Sequence, residues 1–170
     1  MIANYVEKSI IISMNEVAEV TIERVTTISD EIVVAAQLLA PQLESSNQVS
    51  ITSDHLERII SNPDNIWLMA RRIADAKLIG MASLVIMPMP TNIRASLENV
   101  VVDSEARGVG AGIALCLAAK DIANEQNVNT LRAAASKNNT ASQEMLRKAG
   151  FKVETSMDYF ELSIAKGPRF

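Results

Sequence analysis

The sequence predicts a mixed α/β domain, one sheet with helices on its faces. Three observations carry this. Apolar residues alternate in short runs typical of strands, and elsewhere recur at helical spacing. These segments follow the order β-α-α-β-β-β-α-β-α-β-β, in which helices and strands interleave. The connections are marked by Pro41, Pro63, Pro88-Met-Pro90 and Gly150, residues that stop helices or turn the chain.

The first eighteen residues place Ile2, Val6, Ile10, Ile11, Met14 and Val17 at loosely helical intervals, and are read as an N-terminal extension. Residues 19–170 then form one domain. Glu19 to Thr27 reads as a strand. Ser29-Asp30 offers an N-cap for a helix over Ile32 to Leu39, stopped by Pro41. After a polar loop, Gln42 to Ser50, either Ser53 or Asp54 can cap a short second helix. Ile66 to Ile73 and Lys77 to Met87 form two strands joined by a tight turn at Asp75-Ala76. A further strand runs from Arg94 to Val102.

Beyond Val102 the chain becomes alanine- and leucine-rich. Gly110 to Asn127 reads as a long helix with Ile113, Leu117, Ala118 and Ile122 on its apolar side. Thr130 to Ala135 is a short strand. Thr140 with Gln143 resembles a capping box for a helix ending at Ala149, with Gly150 as its C′ residue. Met157 to Ile164 reads as the last strand.

Composition narrows the function. A net charge of −4 opposes general nucleic-acid binding, which requires a basic footprint; it suits a cationic amine. One cysteine, Cys116, and one histidine, His55, exclude an internal disulfide and a Cys/His metal cluster. No metal is expected. The run Ile10-Ile11-Ile12 is too short for a membrane span or a signal core, so no membrane partner is expected and the setting is cytoplasmic.

The segment that carries chemistry is Leu97-Glu-Asn-Val-Val-Val-Asp103 followed by Ser-Glu-Ala-Arg-Gly-Val-Gly-Ala-Gly112 and the long helix. A strand that feeds glycines into a helix N-terminus makes an anion site, because unpaired helix-end amides and the helix dipole both face the ligand. Arg107 adds a planar donor suited to phosphate. The dinucleotide fingerprint fails, since the sixth position counted from Gly108 is Ile113, and no Gly-Lys-Ser/Thr tripeptide of a P-loop occurs. Arg-x-x-Gly-x-Gly remains, matched by Arg107, Gly110 and Gly112.

Val100-Val-Val-Asp with Arg107-Gly-Val-Gly-Ala-Gly112 resembles the coenzyme A motif of the GNAT superfamily of acetyl-CoA-dependent N-acetyltransferases. Asn139-Thr-Ala-Ser-Gln-Glu-Met-Leu-Arg-Lys-Ala-Gly-Phe151 is similar to that family's Asn-x-x-Ala-x-x-x-Tyr-x-x-x-Gly-Phe helix. The resemblance covers roughly residues 19–165. It implies a mixed, mostly antiparallel sheet flanked by helices, with acetyl-CoA wedged between the strands near 97–102 and 130–135. It implies that Val100, Val101 and Val102 line the acetyl and pantetheine arm. Arg107, Gly108, Val109, Gly110, Ala111 and Gly112 would hold the pyrophosphate. Asn139 is either a residue lying along the cofactor or a helix cap.

The implied reaction is transfer of an acetyl group to a primary amine, of a small molecule or of a peptide, by direct attack. Glu98 is the candidate base, since an alkyl amine is protonated at neutral pH; its bland alternative is a surface glutamate. Simple alternation puts Glu98 on one face with Val100 and Val102, and a bulge would swap the faces. The family's tyrosine, which protonates the departing thiolate beside the cofactor, aligns with Leu146, which has no proton to give. Tyr159 on the last strand is the candidate substitute. A domain that binds acyl-CoA without turnover is the competing reading, and a homodimer is expected from the resemblance alone.

Overall fold

A computed structural model of the chain describes residues 19–43 and 50–156. The extension 1–18, loop residues 44–49 and the predicted last strand with Tyr159 lie outside them. Five strands, β1 (Val20–Arg24), β2 (Asn65–Arg72), β3 (Leu78–Pro88), β4 (Ile93–Val102) and β5 (Thr130–Ala133), form one sheet in the order β1-β2-β3-β4-β5. The first three pairings are antiparallel and β4 with β5 is parallel. Helices α1 (Asp30–Leu39) and α2 (Ser53–Ile60) cover one face; α3 (Ala111–Glu125) and α4 (Thr140–Lys148) cover the other.

Two apolar layers follow from strand alternation. Ile66, Leu68 and Ala70 of β2 face α3, with Leu84, Ala95, Leu97 and Leu115, all almost fully buried. Trp67 and Met69 face the other way, packing with Ala36 and Leu39 of α1 and Leu56 of α2. Trp67 is therefore a core residue.

Local chemistry sets the helix ends. Ser29 caps α1, its hydroxyl accepting from the Ile32 amide at 3.4 Å. For α2 the cap is Thr52, which accepts from the His55 amide at 3.2 Å, not Ser53 or Asp54. At α4 the predicted box on Thr140 gives way to Asn139, whose Oδ1 accepts from Ser142 N at 2.9 Å; Gln143 instead donates to the carbonyls of Ser136 and Lys137. The Asn139 amide oxygen meets the free first-turn amide of Ser142, so the helix is capped one residue before Thr140. The same helix closes as expected: Gly150 (φ 95°) donates to Arg147 O and Phe151 to Leu146 O, both at 3.0 Å. That pairing is a Schellman motif, and Leu146 and Phe151 both pack against the core.

Arg71 ties three elements together. Its guanidinium donates to Glu23 Oε1 and Oε2 (2.5 and 3.1 Å), to Glu31 of α1 (2.7 and 3.2 Å) and to Ala76 O in the β2–β3 turn (2.5 Å). These bonds hold the arginine more firmly charged than usual, and its hydrogen bond to Glu31 lowers that carboxyl below its ordinary range. A group with a lowered folded value adds stability above its unfolded value and loses it as pH falls through the folded one. With a half-exposed Glu31, Arg71→Met should cost about 1–2 kcal/mol near neutral pH. Thermal unfolding across pH would show that gap narrowing in acid; a pH-independent gap would refute the charge contribution.

Candidate active site

The site is built where β4 and β5 part. They pair in parallel only over Arg94–Leu97 against Thr130–Ala133. Asn129 pins the start: its Oδ1 accepts from Ile93 N at 2.9 Å and its own amide donates to Ile93 O at 2.8 Å. Past Leu97, β4 continues to Val102 and β5 has ended. Among the described residues no strand pairs with that edge of β4.

The same stretch of β4 is bulged. Glu98 pairs with Ser83, Val101 with Met81 and Val102 with Gly80, so Asn99 and Val100 together stand opposite Ala82. Asn99 takes a left-handed φ of 53°, which asparagine tolerates better than most residues. The bulge overturns simple alternation. Ala95 and Leu97 face α3, as do Val100 and Val102 beyond it, whereas Val101 packs with Trp67 and Met69 on the α1 side. Glu98 therefore shares a face with Val101, not with Val100 and Val102. Gly80 lets the layers close here: a Cβ on it would lie 3.0 Å from Val101 O and 3.4 Å from Leu115 Cδ1.

Beyond β4 the chain is braced before it turns into α3. Asp103 N donates to Ile79 O at 2.8 Å, and Ser104 N to Gln42 Oε1 at 2.9 Å. Lys77 Nζ lies 3.7 Å from Asp103 Oδ2. Arg107 is exposed. Gly108 (φ 90°) and Gly110 (φ 79°) both adopt the left-handed region, and Gly110 is the N-cap of α3 with no side-chain cap bond. A Cβ built on either glycine meets nothing within 4 Å. Their freedom thus serves the backbone, not internal packing, and the loop's outer side is open. Val109 is half-buried and Ala111 buried. Gly112 has a different reason to be glycine: a Cβ there would meet Met145 Sδ of α4 at 2.5 Å.

The remaining predicted residues are distributed as follows. Glu98 is exposed and accepts a hydrogen bond on Oε1 from the Ser96 hydroxyl. Asn139 uses its Oδ1 as the α4 cap. Leu146 is half-buried in the apolar cluster under α3, one residue beyond Met145. Cys116 is fully buried, and desolvation pushes its thiol up to about 12, so it is an inert core residue. His55 is half-buried in the first turn of α2, and Met89 is exposed between β3 and β4. Ser96 was missed by motif reading, although its spacing of two from Glu98 on a strand signals a shared face.

A separate cavity of about 180 Å³ opens at the β1–α1 connection, with Glu23, Arg24, Thr26 and Thr27 at its polar side and Val25, Ile32, Met69 and Leu78 below. None of the predicted site residues lines it. Among the described residues no group of three His, Cys, Asp or Glu is placed to hold a metal ion, and no helix is long and apolar enough to cross a membrane.

The sequence model of the acetyltransferase (GNAT) family matches residues 34–151. Comparison with curated proteins finds no match. Among solved structures, the chain is similar to an aminoglycoside acetyltransferase from an uncultured soil metagenomic sample, in complex with sisomicin. That likeness has a TM-score of 0.72 at 17% identity, covering 86% of this chain and 97% of the other. It is also similar to glucosamine-6-phosphate N-acetyltransferase from Arabidopsis thaliana (TM-score 0.67, 20% identity, 85% and 99% covered). A transcriptional regulator from Bacillus halodurans matches too (0.68, 20%, 85% and 99%). At these identities the likenesses establish the fold.

Proposed function

Because the chain belongs to the acetyltransferase (GNAT) family and is an acetyltransferase-type enzyme, we propose that it moves an acetyl group from acetyl-CoA to the primary amine of a small molecule. The observation that carries this reading is the end of β4–β5 pairing at Leu97, with β4 running on into an α3 N-terminus that has no side-chain cap. An extended thioester arm fits the unpaired edge of β4, and a diphosphate fits the loop. Fixed amides at a helix end attract an anion without a cost of reorganisation.

In this reading Gly108 to Gly112 hold the pyrophosphate with Arg107 beside them, and the β4 backbone at Val100 to Val102 receives the arm. An amide there can donate to the thioester carbonyl oxygen, where negative charge grows as the amine nitrogen adds to the carbonyl carbon. The carbon–sulfur bond then breaks and the thiolate departs. A thiol with an ordinary value near about 8.5 leaves without a dedicated acid, which accommodates Leu146 at the tyrosine position. Glu98 takes the proton that the amine must lose. A small-molecule acceptor is supported by the two acetyltransferases above, whose names specify an aminoglycoside and a sugar phosphate. A cytoplasmic setting accords with a single thiol in the sequence.

Release of free coenzyme A thiol from acetyl-CoA, measured against a panel of amines, tests the proposal. Turnover with one amine class is the expected result. Saturable acetyl-CoA binding with no turnover on any amine would replace catalysis by sensing, and absence of binding would overturn both. Gly110→Val should weaken acetyl-CoA binding about tenfold, since a β-branched residue at φ 79° loses about 1–2 kcal/mol. Unchanged affinity by calorimetry would remove the loop from the binding site.

A further inference from the structure

We infer that Ser96 is the positioning residue for Glu98, fixing which carboxylate oxygen meets the acceptor amine. The inference rests on the proposed transfer to an amine and adds to it a residue that no motif assigns. Ser96 and Glu98 lie two apart on β4, upstream of the bulge, so both project to the α1 side of the sheet, away from Leu97. The Ser96 hydroxyl donates to Glu98 Oε1. Ser96 is half-covered and Glu98 exposed, so the better-ordered side chain holds the freer one.

The geometry around this pair gives the bond a purpose. Glu98 stands at the last position before the strand changes face, with Ser83 of β3 opposite it. Val85 lies opposite Ser96 on one side and Arg132 of β5 on the other. Arg94 is two residues earlier on the same face. An unrestrained glutamate at an exposed strand position samples several rotamers, and ordering it costs about 1–2 kcal/mol of side-chain entropy. A hydroxyl donor at fixed spacing settles that orientation before the acceptor arrives. It occupies a lone pair on Oε1 and directs the proton of the amine to Oε2. The transfer balances: the amine's N–H bond breaks, an O–H bond forms at Oε2, the new N–C bond takes the nitrogen lone pair, and the C–S bond breaks with its electron pair leaving on the thiolate.

Ser96 sits on the face of the sheet that carries Glu98 and not on that of Val100 and Val102. Its loss should therefore reach turnover while sparing the co-substrate. Ser96→Ala is expected to lower kcat about five- to twentyfold, the fold-change that corresponds to the cost of ordering the glutamate side chain, with KM for acetyl-CoA unchanged. Ser96→Thr retains the hydroxyl and should restore most of the rate, which a loss caused by altered packing would not do. In a double-mutant cycle, Ser96→Ala on a Glu98→Gln background should produce almost no further fall.

An additive loss in the double variant, or failure of Thr to restore activity, would overturn the positioning role while leaving acetyl transfer intact. An equal rise in KM for acetyl-CoA would place Ser96 with the co-substrate instead. If Glu98→Gln itself retains full activity, the base assignment falls, and the role of Ser96 falls with it. Absence of thiol release by the unaltered protein with every amine defeats the transfer reading, and is distinguished by that control.

Discussion

Glu98→Gln should lower kcat by about two orders of magnitude at neutral pH, the lower range for loss of a positioned base. The substitution is well suited to the question. Gln keeps the oxygen that accepts from Ser96, keeps the length of the side chain and sits at an exposed position, so folding should be undisturbed. Only proton acceptance is removed. The deficit should be largest at low pH, where almost all the amine is protonated, and should close as the pH approaches the amine's own value near about 10. Steady-state rates of the two proteins across pH, with acetyl-CoA saturating, measure the ratio. A ratio constant over the whole range would separate Glu98 from proton transfer.

Leu115→Ala should be the most destabilising single truncation near the site. Leu115 has no exposed surface, and its Cδ1 rests under the β3–β4 contact at Gly80. Removing three carbons there leaves a cavity between α3 and two strands that cannot collapse, because the Gly80 backbone is fixed in the β3–β4 ladder opposite Val102. The expected cost is about 2–5 kcal/mol. For a domain of this size each kcal/mol lowers Tm by roughly 2–4 °C. Urea unfolding monitored by Trp67, itself buried in the opposite layer, would report it. A loss under about 1 kcal/mol would mean that the helix can resettle on the sheet.

The turn into α3 was legible because its backbone requirements are stated in residue types. Gly108 and Gly110 occupy left-handed backbone that few other residues adopt, and Gly150 ends α4 for the same reason. The joining of β2 to β3 was legible as well, through a two-sided apolar pattern and a tight turn in which Ala76 takes φ 58°. Gly112 was read with the loop, yet its contact with Met145 depends on where α4 lies, which no local pattern states. The α2 cap is Thr52 where Ser53 or Asp54 was read, and the α4 cap is Asn139, one of its two readings, in place of the box at Thr140, because several neighbouring polar residues can each cap and only backbone geometry selects one. The bulge was invisible for a related reason: Val100-Val-Val102 is apolar at every position, so it fits either face. Ser96 carries no motif, and its meaning appears only with its bond to Glu98.

That bulge has a further consequence for how the chain can vary. A strand addresses two sides by parity, and one inserted residue reverses the parity of everything after it. In β4 the reversal falls between Glu98 and Val100, so even positions before the step face the α1 layer and even positions after it face the α3 layer. The spacing is then as constrained as the side chains. Losing the bulge while keeping Asn99 in the ladder would leave every neighbouring residue chemically intact and still turn Val101 into the layer of α3 and Val100 away from it, whereas deleting Asn99 would restore plain alternation with Val100 and Val102 still toward α3. Straightening the strand at its full length is here equivalent to exchanging the two sides of the sheet.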